Sequence, residues 1–387
     1  MRRVAAITIV LLGVLAACGD GSSSSSSTPA SVPPTIAEVT TVAESTTLPV
    51  PTTVADPPPV TTSPSPAAGW EQVTASGECM CADGSPYSYW IHRADPDRVV
   101  FFLQGGGACF DVNSCAFDSG IYKPTAGVSD DPTNLSGIFD FADTRNPLAD
   151  YSFVFAPYCT GDVHVGTSTH VYGPELTIEH KGSINATTAL SALATQFPDT
   201  AQLVVTGESA GSIPSPLYAG LAHDLLPNAE ITVLADGSGA YPDLVALNVG
   251  IGALWGTEAA IPPWPENAGL TAAQWSIPGL FVQANKHDPE IIFGRHDFAF
   301  DGVQQSFLGA VGFPTTDLVT LIDNNETQIE QGGVDLRSYI APGNSHTVLS
   351  RPEFYTETVE GVPLVDWVTD LVRRRPDSDV HCKECNT

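Results

Sequence analysis

Residues 203–211, Leu-Val-Val-Thr-Gly-Glu-Ser-Ala-Gly, decide how this chain is read. Leu203-Val204-Val205 is a short apolar run with the look of a buried strand, and Gly207-Glu208-Ser209-Ala210-Gly211 follows it directly. Gly-x-Ser-x-Gly after a strand is the pattern of a nucleophile elbow, a sharp strand-to-helix turn that leaves the serine oxygen exposed at the top of a sheet. The two glycines remove side chains that would collide in so tight a turn. In a chain with 34 glycines the pentapeptide alone is also compatible with an ordinary Gly-rich turn. The surrounding sequence has to decide.

Similar apolar runs recur on both sides. Val99 to Leu103, Phe153-Val154-Phe155, Ile231 to Ala235 and Leu280 to Ala284 all read as strands, with helix-length segments such as Thr187 to Gln196 and Leu217 to Leu226 between them. Near-continuous apolar runs suit parallel strands covered on both faces. Strands alternating with helices predict an α/β fold, a doubly wound, mostly parallel sheet with helices on both faces. Ligands in such sheets bind beyond the carboxyl ends of the strands. The chemically suggestive residues of this chain lie there.

After Val99–Leu103 comes Gln104-Gly105-Gly106-Gly107, a run that lets a substrate approach the backbone. A backbone N–H of this run and that of Ala210 after the serine are the expected oxyanion-hole donors. With the serine first, an acid and then a histidine should follow. His346 sits in the turn-like stretch Pro342 to Thr347 after Tyr339-Ile340, and is the expected base. Two acids follow apolar runs, Asp236 after Ile231–Ala235 and Asp288 after Leu280–Ala284. Asp288 is preferred, because Asp236 begins Asp-Gly-Ser-Gly, a common turn former.

The ends of the chain differ in character. Arg2 and Arg3 precede an apolar stretch from Val4 to Ala17, and Leu15-Ala16-Ala17-Cys18 resembles the cleavage box of bacterial lipoproteins. Residues 1–17 are therefore expected to be a signal peptide and Cys18 the lipidated mature terminus. Residues 18–68, rich in Ser, Thr and Pro, form the expected tether, since such a segment cannot bury a core. The folded domain is expected over 69–387, exported, monomeric, and attached to a membrane only through that lipid. Fifteen Lys and Arg against 44 Asp and Glu give a formal charge of −29, which argues against nucleic acid and anionic lipid as partners. Apart from Cys18 there are seven cysteines, an odd number that leaves one unpaired within the chain. Cys382-Lys-Glu-Cys385 beside His381 has zinc-like spacing but no second ligand pair, so a disulfide staple is preferred and no metal or other cofactor is expected.

Six motifs occur together in order: 103–115 (LQGGGACFDVNSC), 153–166 (FVFAPYCTGDVHVG), 205–211 (VTGESAG), 234–241 (LADGSGAY), 281–288 (FVQANKHD) and 343–347 (GNSHT). This order resembles the pectin acetylesterase/Notum family. The resemblance implies an α/β-hydrolase-like fold and a metal-free carboxylesterase, with Ser209 as nucleophile, His346 as base, Asp288 as its partner and Gly106, Gly107 and Ala210 as the oxyanion hole. It also implies a local bridge between Cys109 and Cys115. The chain departs from the family at Gln104, where an acid is usual, at Gly107, where an aromatic is usual, and at Ser212, where Gly is usual. Small O-acyl groups on a glycan are the substrates the resemblance implies. A deacylase of lipid-modified peptides and a non-catalytic glycan-binding lipoprotein are the alternatives.

Overall fold

The computed structural model describes residues 69–127, 130–375, 378–383 and 385. The expected signal peptide (1–17), lipidated Cys18 and tether (18–68) lie outside the described residues.

A nine-stranded sheet forms the frame. In chain order its strands are β1 (Trp70–Thr74), β2 (Ser88–His92), β3 (Asp95–Leu103) and β4 (Tyr151–Ala156). After a separate two-stranded hairpin, β5 (Ser168–Gly173) and β6 (Leu176–His180), come β7 (Gln202–Glu208), β8 (Glu230–Asp236), β9 (Ile292–Phe298) and β10 (Leu336–Ala341). A short hairpin, β11 (Thr358–Val359) and β12 (Val362–Pro363), precedes the edge strand β13 (Val380–His381). The spatial order is β1-β2-β4-β3-β7-β8-β9-β10-β13. Only the β1–β2 and β2–β4 pairings are antiparallel. From β4 to β13 every neighbour is parallel.

Seven α-helices cover the sheet among the described residues: α1 (Gly182–Gln196), α2 (Ser215–Leu225), α3 (Val245–Trp255), α4 (Ile277–His287), α5 (Gly302–Ala310), α6 (Leu318–Gln331) and α7 (Leu364–Val372). The strand period of two divides the core. Val99, Phe101 and Leu103 of β3 join α1, α2 and α4 on one face. Val100 and Phe102 join α5, α7 and the start of α6 on the other. Both faces are buried, so β4 reads as six buried residues in succession.

The strand expected at Leu280 to Ala284 is instead part of α4. Ser276 caps that helix by accepting from Gly279 N–H, and Pro278 sits in its first turn. Leu280, Phe281 and Ala284 are buried at helical spacing. The true next strand, β9, was hidden by its polar Arg295, His296 and Asp297, all buried and all paired.

Three disulfides close the framework: Cys81–Cys159, Cys109–Cys115 and Cys382–Cys385. The sulfurs of the zinc-like pair are thus bonded to each other, and among the described residues Cys79 is the buried free cysteine. Cys81–Cys159 spans 78 residues and ties the N-terminal strands to the end of β4. Loop-closure entropy gives such a bond about 2–4 kcal/mol. We expect Cys81→Ser/Cys159→Ser to lower the unfolding free energy by about that much in urea. Cys382→Ser/Cys385→Ser, which opens a loop of three residues, should cost clearly less. Equal losses would show that the long bridge acts through local packing and not through the chain it closes.

Candidate active site

Ser209 lies between β7 and α2 in a left-handed conformation, φ +54°. For a residue with a side chain this costs about 1–3 kcal/mol and persists only if its surroundings enforce it. They do. A Cβ on Gly207 would overlap the Gly211 carbonyl, and a Cβ on Gly211 would overlap the Leu103 carbonyl of β3. The elbow is thus pressed against the end of the neighbouring strand. A Cβ on Gly105 would in turn strike the Glu208 carbonyl and Ser209 Cβ. Glycine at these positions brings the Gly105–Gly107 loop and the serine into direct contact.

His346 Nε2 lies 2.7 Å from Ser209 Oγ. Its Nδ1 lies 2.6 Å from Asp301 Oδ2. The loop carrying His346 is fastened by Asp236, whose Oδ2 accepts from Val348 N–H at 2.8 Å and Leu349 N–H at 3.0 Å. The other Asp236 oxygen pairs with His296 Nδ1 at 2.8 Å, and both residues are fully buried. Gly237, with φ +82°, packs under the His346 ring, where a Cβ would crowd the His346 carbonyl.

Asp301, and not Asp288, faces His346. It follows β9 and caps α5: its Oδ1 accepts from Val303 N–H at 2.8 Å and Gln304 N–H at 3.0 Å. Gln304 Nε2 donates to Oδ2 at 3.0 Å and to Asp297 at 3.0 Å. Four donors, counting the imidazole, fix the orientation of this fully buried carboxylate. Asp288 lies instead at the end of α4, 3.1 Å from His223 Nδ1. Asp301 follows a strand, β9, whereas Leu280 to Ala284 is helix, so Asp288 stands at a helix terminus. The signal that could have found Asp301 is Asp-Gly opening Gly302–Ala310, an N-cap ahead of a helix. Asp236 is a clamp for the histidine loop.

Gly105, Gly106 and Gly107 line a cavity of about 440 Å³ together with Ser209, His346, Thr347 and Arg351. Lys123 N–H donates to the Gly106 carbonyl at 2.9 Å, and its ammonium pairs with the buried Asp130 and with Gln104 Oε1. His164, also left-handed at φ +58°, bonds through Nε2 to the Gln104 carbonyl at 2.9 Å. Behind Ser209 a second cavity of about 180 Å³ opens, lined by Ala210, Ile213, Ile251, Trp255, Trp275 and Leu280 among other apolar residues. The tryptophan-bearing segment from Tyr241 to Trp275 thus gives the cavity two of its three indoles. Trp264 stands apart, stacked on His287 with ring centroids 4.1 Å apart.

Burial sets the protonation of the supporting shell. It pushes the Glu208 carboxyl up, against the hydroxyl that Ser350 donates at 2.5 Å. It raises Asp162 to about 6, and lowers His164 and His180 to about 4.

The parallel sheet with its strand–elbow–helix unit places the chain in the α/β-hydrolase-like class. Residues 71–250 match the family model described as Pectinacetylesterase, so that stretch is similar to this family. No curated protein matches the chain. The match covers Gly105–Gly107 and Ser209, while Asp301 and His346 lie beyond it. The family implies carboxylic ester hydrolysis, and three disulfides fit an exported protein.

Two histidines of the supporting shell make an acid-sensitive contribution to stability. Unfolded histidine takes up a proton near pH 6.5, whereas folded His164 and His180 do so only near 4. Their stability contribution is therefore complete above pH 6.5 and lost as pH falls toward 4. Asp162 acts in the opposite sense: raised to about 6 when folded, it stabilises as pH falls from 6 toward its ordinary value. The two histidines should each cost about 3 kcal/mol between pH 7 and 4, offset in part by Asp162 and by Glu208 and Asp297, whose carboxyls burial also raises. We expect His180→Gln to flatten the fall of the urea midpoint over this range. An unchanged slope would place the acid sensitivity elsewhere.

Proposed function

We propose that the protein is an exported serine carboxylesterase acting through an acyl-enzyme on Ser209. The observation that carries this is the continuous chain Ser209 Oγ–His346–Asp301, with contacts of 2.7 and 2.6 Å. His346 Nε2 takes the hydroxyl proton as Oγ attacks the ester carbonyl. Asp301 accepts from Nδ1–H, which holds the tautomer and stabilises the imidazolium. His346 then returns the proton to the leaving alcohol, and water, deprotonated by the same imidazole, releases the acid. The carbonyl oxygen takes up negative charge in between, and the N–H groups of Gly106, Gly107 and Ala210 are its proposed donors. The bond from Lys123 N–H to the Gly106 carbonyl supports this role. In a planar trans peptide it turns the Gly107 N–H the opposite way.

The two cavities that meet at Ser209 support a division of the substrate. The acyl group enters the apolar cavity beside Trp255 and Trp275, and the alcohol occupies the wider opening beside Arg351, Thr347 and Ser306. The family supports an acylated glycan as the alcohol side. A cavity of about 180 Å³ with this lining has room for several carbons, and so favours acyl groups longer than acetyl. It equally supports the deacylation of a lipid-modified peptide as a second reading. Cys18 is the proposed lipid anchor, on the strength of Leu15-Ala16-Ala17-Cys18.

Ser209→Ala and His346→Ala should each remove nearly all turnover of p-nitrophenyl butyrate, and the double variant little more. Asp301→Asn should lower kcat by about 10³–10⁴-fold, whereas Asp288→Asn should stay within a few-fold of the parent. The reverse ranking would reinstate Asp288.

Across p-nitrophenyl esters, kcat/KM should rise by up to about fourfold per added methylene, the worth of about 0.8 kcal/mol of burial, until the cavity is full. Trp275→Ala should flatten that rise and leave the acetate rate nearly unchanged. An equal loss on every chain length would assign Trp275 to folding and not to acyl selection.

A further inference from the structure

Helix α3, Val245–Trp255, has no polar face. From Leu244 to Thr257 the sequence carries no charge, and the one polar side chain within the helix is Asn248. Asn248 is turned toward the body, where its amide donates to Asp243 at 2.8 Å and reaches the Ala273 carbonyl. The inner face, Leu247, Asn248, Ile251, Gly252 and Trp255, lines the apolar cavity behind Ser209. The outer stripe is Val245, Ala246, Val249, Gly250 and Ala253. It is open to solvent, Val245 at 57% and Val249 at 45% exposure. On β5, whose first residue bonds to the Leu254 carbonyl at the end of α3, Val171 is 64% exposed. A helix that is apolar all round is ordinarily buried. A surface helix that must remain in water carries its charges outward, and α3 carries none.

We propose that the outer face of α3 is a docking surface for a neutral, zwitterionic lipid surface, from which an acyl chain passes under the same helix to Ser209. This rests on the ester-hydrolase reading of the site. One helix joins the two requirements, since its outer stripe meets the lipid and its inner stripe walls the acyl cavity. Charge selects the surface. A chain of formal charge −29 is repelled by anionic headgroups, and the stripe offers no lysine or arginine to attract them. A second copy of the chain fits the face poorly. Five small side chains fall far short of the roughly 800 Å² per partner of a stable interface, and no aromatic or arginine anchor stands among them. At 11 residues α3 is about 16 Å long, too short to cross a bilayer core of about 30 Å. No helix among the described residues is long and apolar enough to cross a membrane. The contact is therefore interfacial, with α3 lying in the plane of the surface.

The test compares full-length chains, all carrying Cys18→Ser so that no acyl anchor contributes, with and without Val245→Asp/Val249→Asp. Val245→Ser/Val249→Ser is the milder second variant. Neither valine lines a cavity at Ser209. Three quantities are read: turnover of dissolved p-nitrophenyl butyrate, turnover of a long-chain p-nitrophenyl ester held in phosphatidylcholine vesicles, and cosedimentation with those vesicles. The aspartate variant should keep its rate on the dissolved ester. Its vesicle-borne rate should fall tenfold or more and its cosedimentation fivefold or more, with the serine variant in between. Vesicles of phosphatidylglycerol should bind the parent more weakly than phosphatidylcholine. Unchanged cosedimentation and vesicle-borne rate in both variants would overturn the proposal. So would a parent dimer, seen by analytical ultracentrifugation, that the aspartates dissolve without changing vesicle binding. If the parent fails to cleave the dissolved ester, the hydrolase reading falls, while cosedimentation still decides the role of α3.

Discussion

The site depends on a contact between two backbones. Gly211 lies so close to the Leu103 carbonyl that no side chain fits between the elbow and the end of β3. Gly105, two residues beyond Leu103, is pressed in the same way against Glu208 and Ser209. These contacts hold Ser209 at positive φ, because any relaxation of the elbow would drive it into β3. They also set the Gly105–Gly107 loop beside the serine. The strain at one residue and the position of its neighbouring loop are therefore one geometric fact. Removing either glycine alters both.

Much of this was legible in the sequence because it is written in residue types that have few substitutes. Gly207, Gly211 and the Gly105–Gly107 run can be read as close approach, and His346 as a loop residue after a strand. The alternating faces of Val99 to Leu103 are legible as a strand buried on both sides. The Asp301 position was not, for a physical reason. Ile292–Phe298 hides as a strand because Arg295, His296 and Asp297 interrupt its apolar pattern. Periodicity treats such residues as surface, yet Arg295 lies 3.0 Å from Asp297 and His296 lies 2.8 Å from Asp236 in the interior. Pairing removes the cost that would otherwise keep them out, and pairing across 60 residues is invisible along the chain. Leu280 to Ala284 erred in the opposite direction. Five mostly apolar residues fit a strand or one face of a helix equally well, and only the Ser276 and Pro278 start signal separates them.

Those buried pairs also organise the site. Burial holds the Asp297 carboxyl up even beside the Arg295 guanidinium. Asp297 accepts from Gly239 N–H at 2.7 Å and shares Gln304 with Asp301. Asp236 joins His296 of β9 to the loop after His346. β8, β9 and the two loops beyond β9 and β10 are thus linked through three carboxylates and one amide. A buried ion pair is weak evidence of stability, because desolvation offsets most of its attraction. What such a pair does supply is direction, since each lone pair and each N–H has one place to go. The network spends burial on orientation at the position where imidazole and carboxylate must meet.

The apolar side of the molecule obeys a different constraint. Trp255 and Trp275 bring large surfaces to the cavity behind Ser209, and Trp255 Nε1 is satisfied by the Cys109 carbonyl at 2.8 Å. The Cys109–Cys115 loop and the end of α3 are thereby joined, which fixes one wall of the cavity to the glycine loop. The other end of α3 is fastened just ahead of the helix, where Asp243 accepts from Asn248 and from Gln328 of α6, and the Tyr241 carbonyl accepts from Asn325. The helix begins at Leu244 without a side-chain cap and contains Gly250 and Gly252, each unfavourable in a helix by about 1 kcal/mol relative to alanine. A segment of this composition gains its helical form from what it packs against. On the inner side that is the cavity wall, whereas the outer stripe of Val245, Val249 and Ala253 has no partner of the same kind in the described domain. A cavity walled by the apolar inner face of a helix held at both ends is suited to a ligand that is itself apolar. Under the ester chemistry proposed for Ser209, the length and origin of the acyl group fall to α3, which both walls the cavity and carries the bare outer stripe.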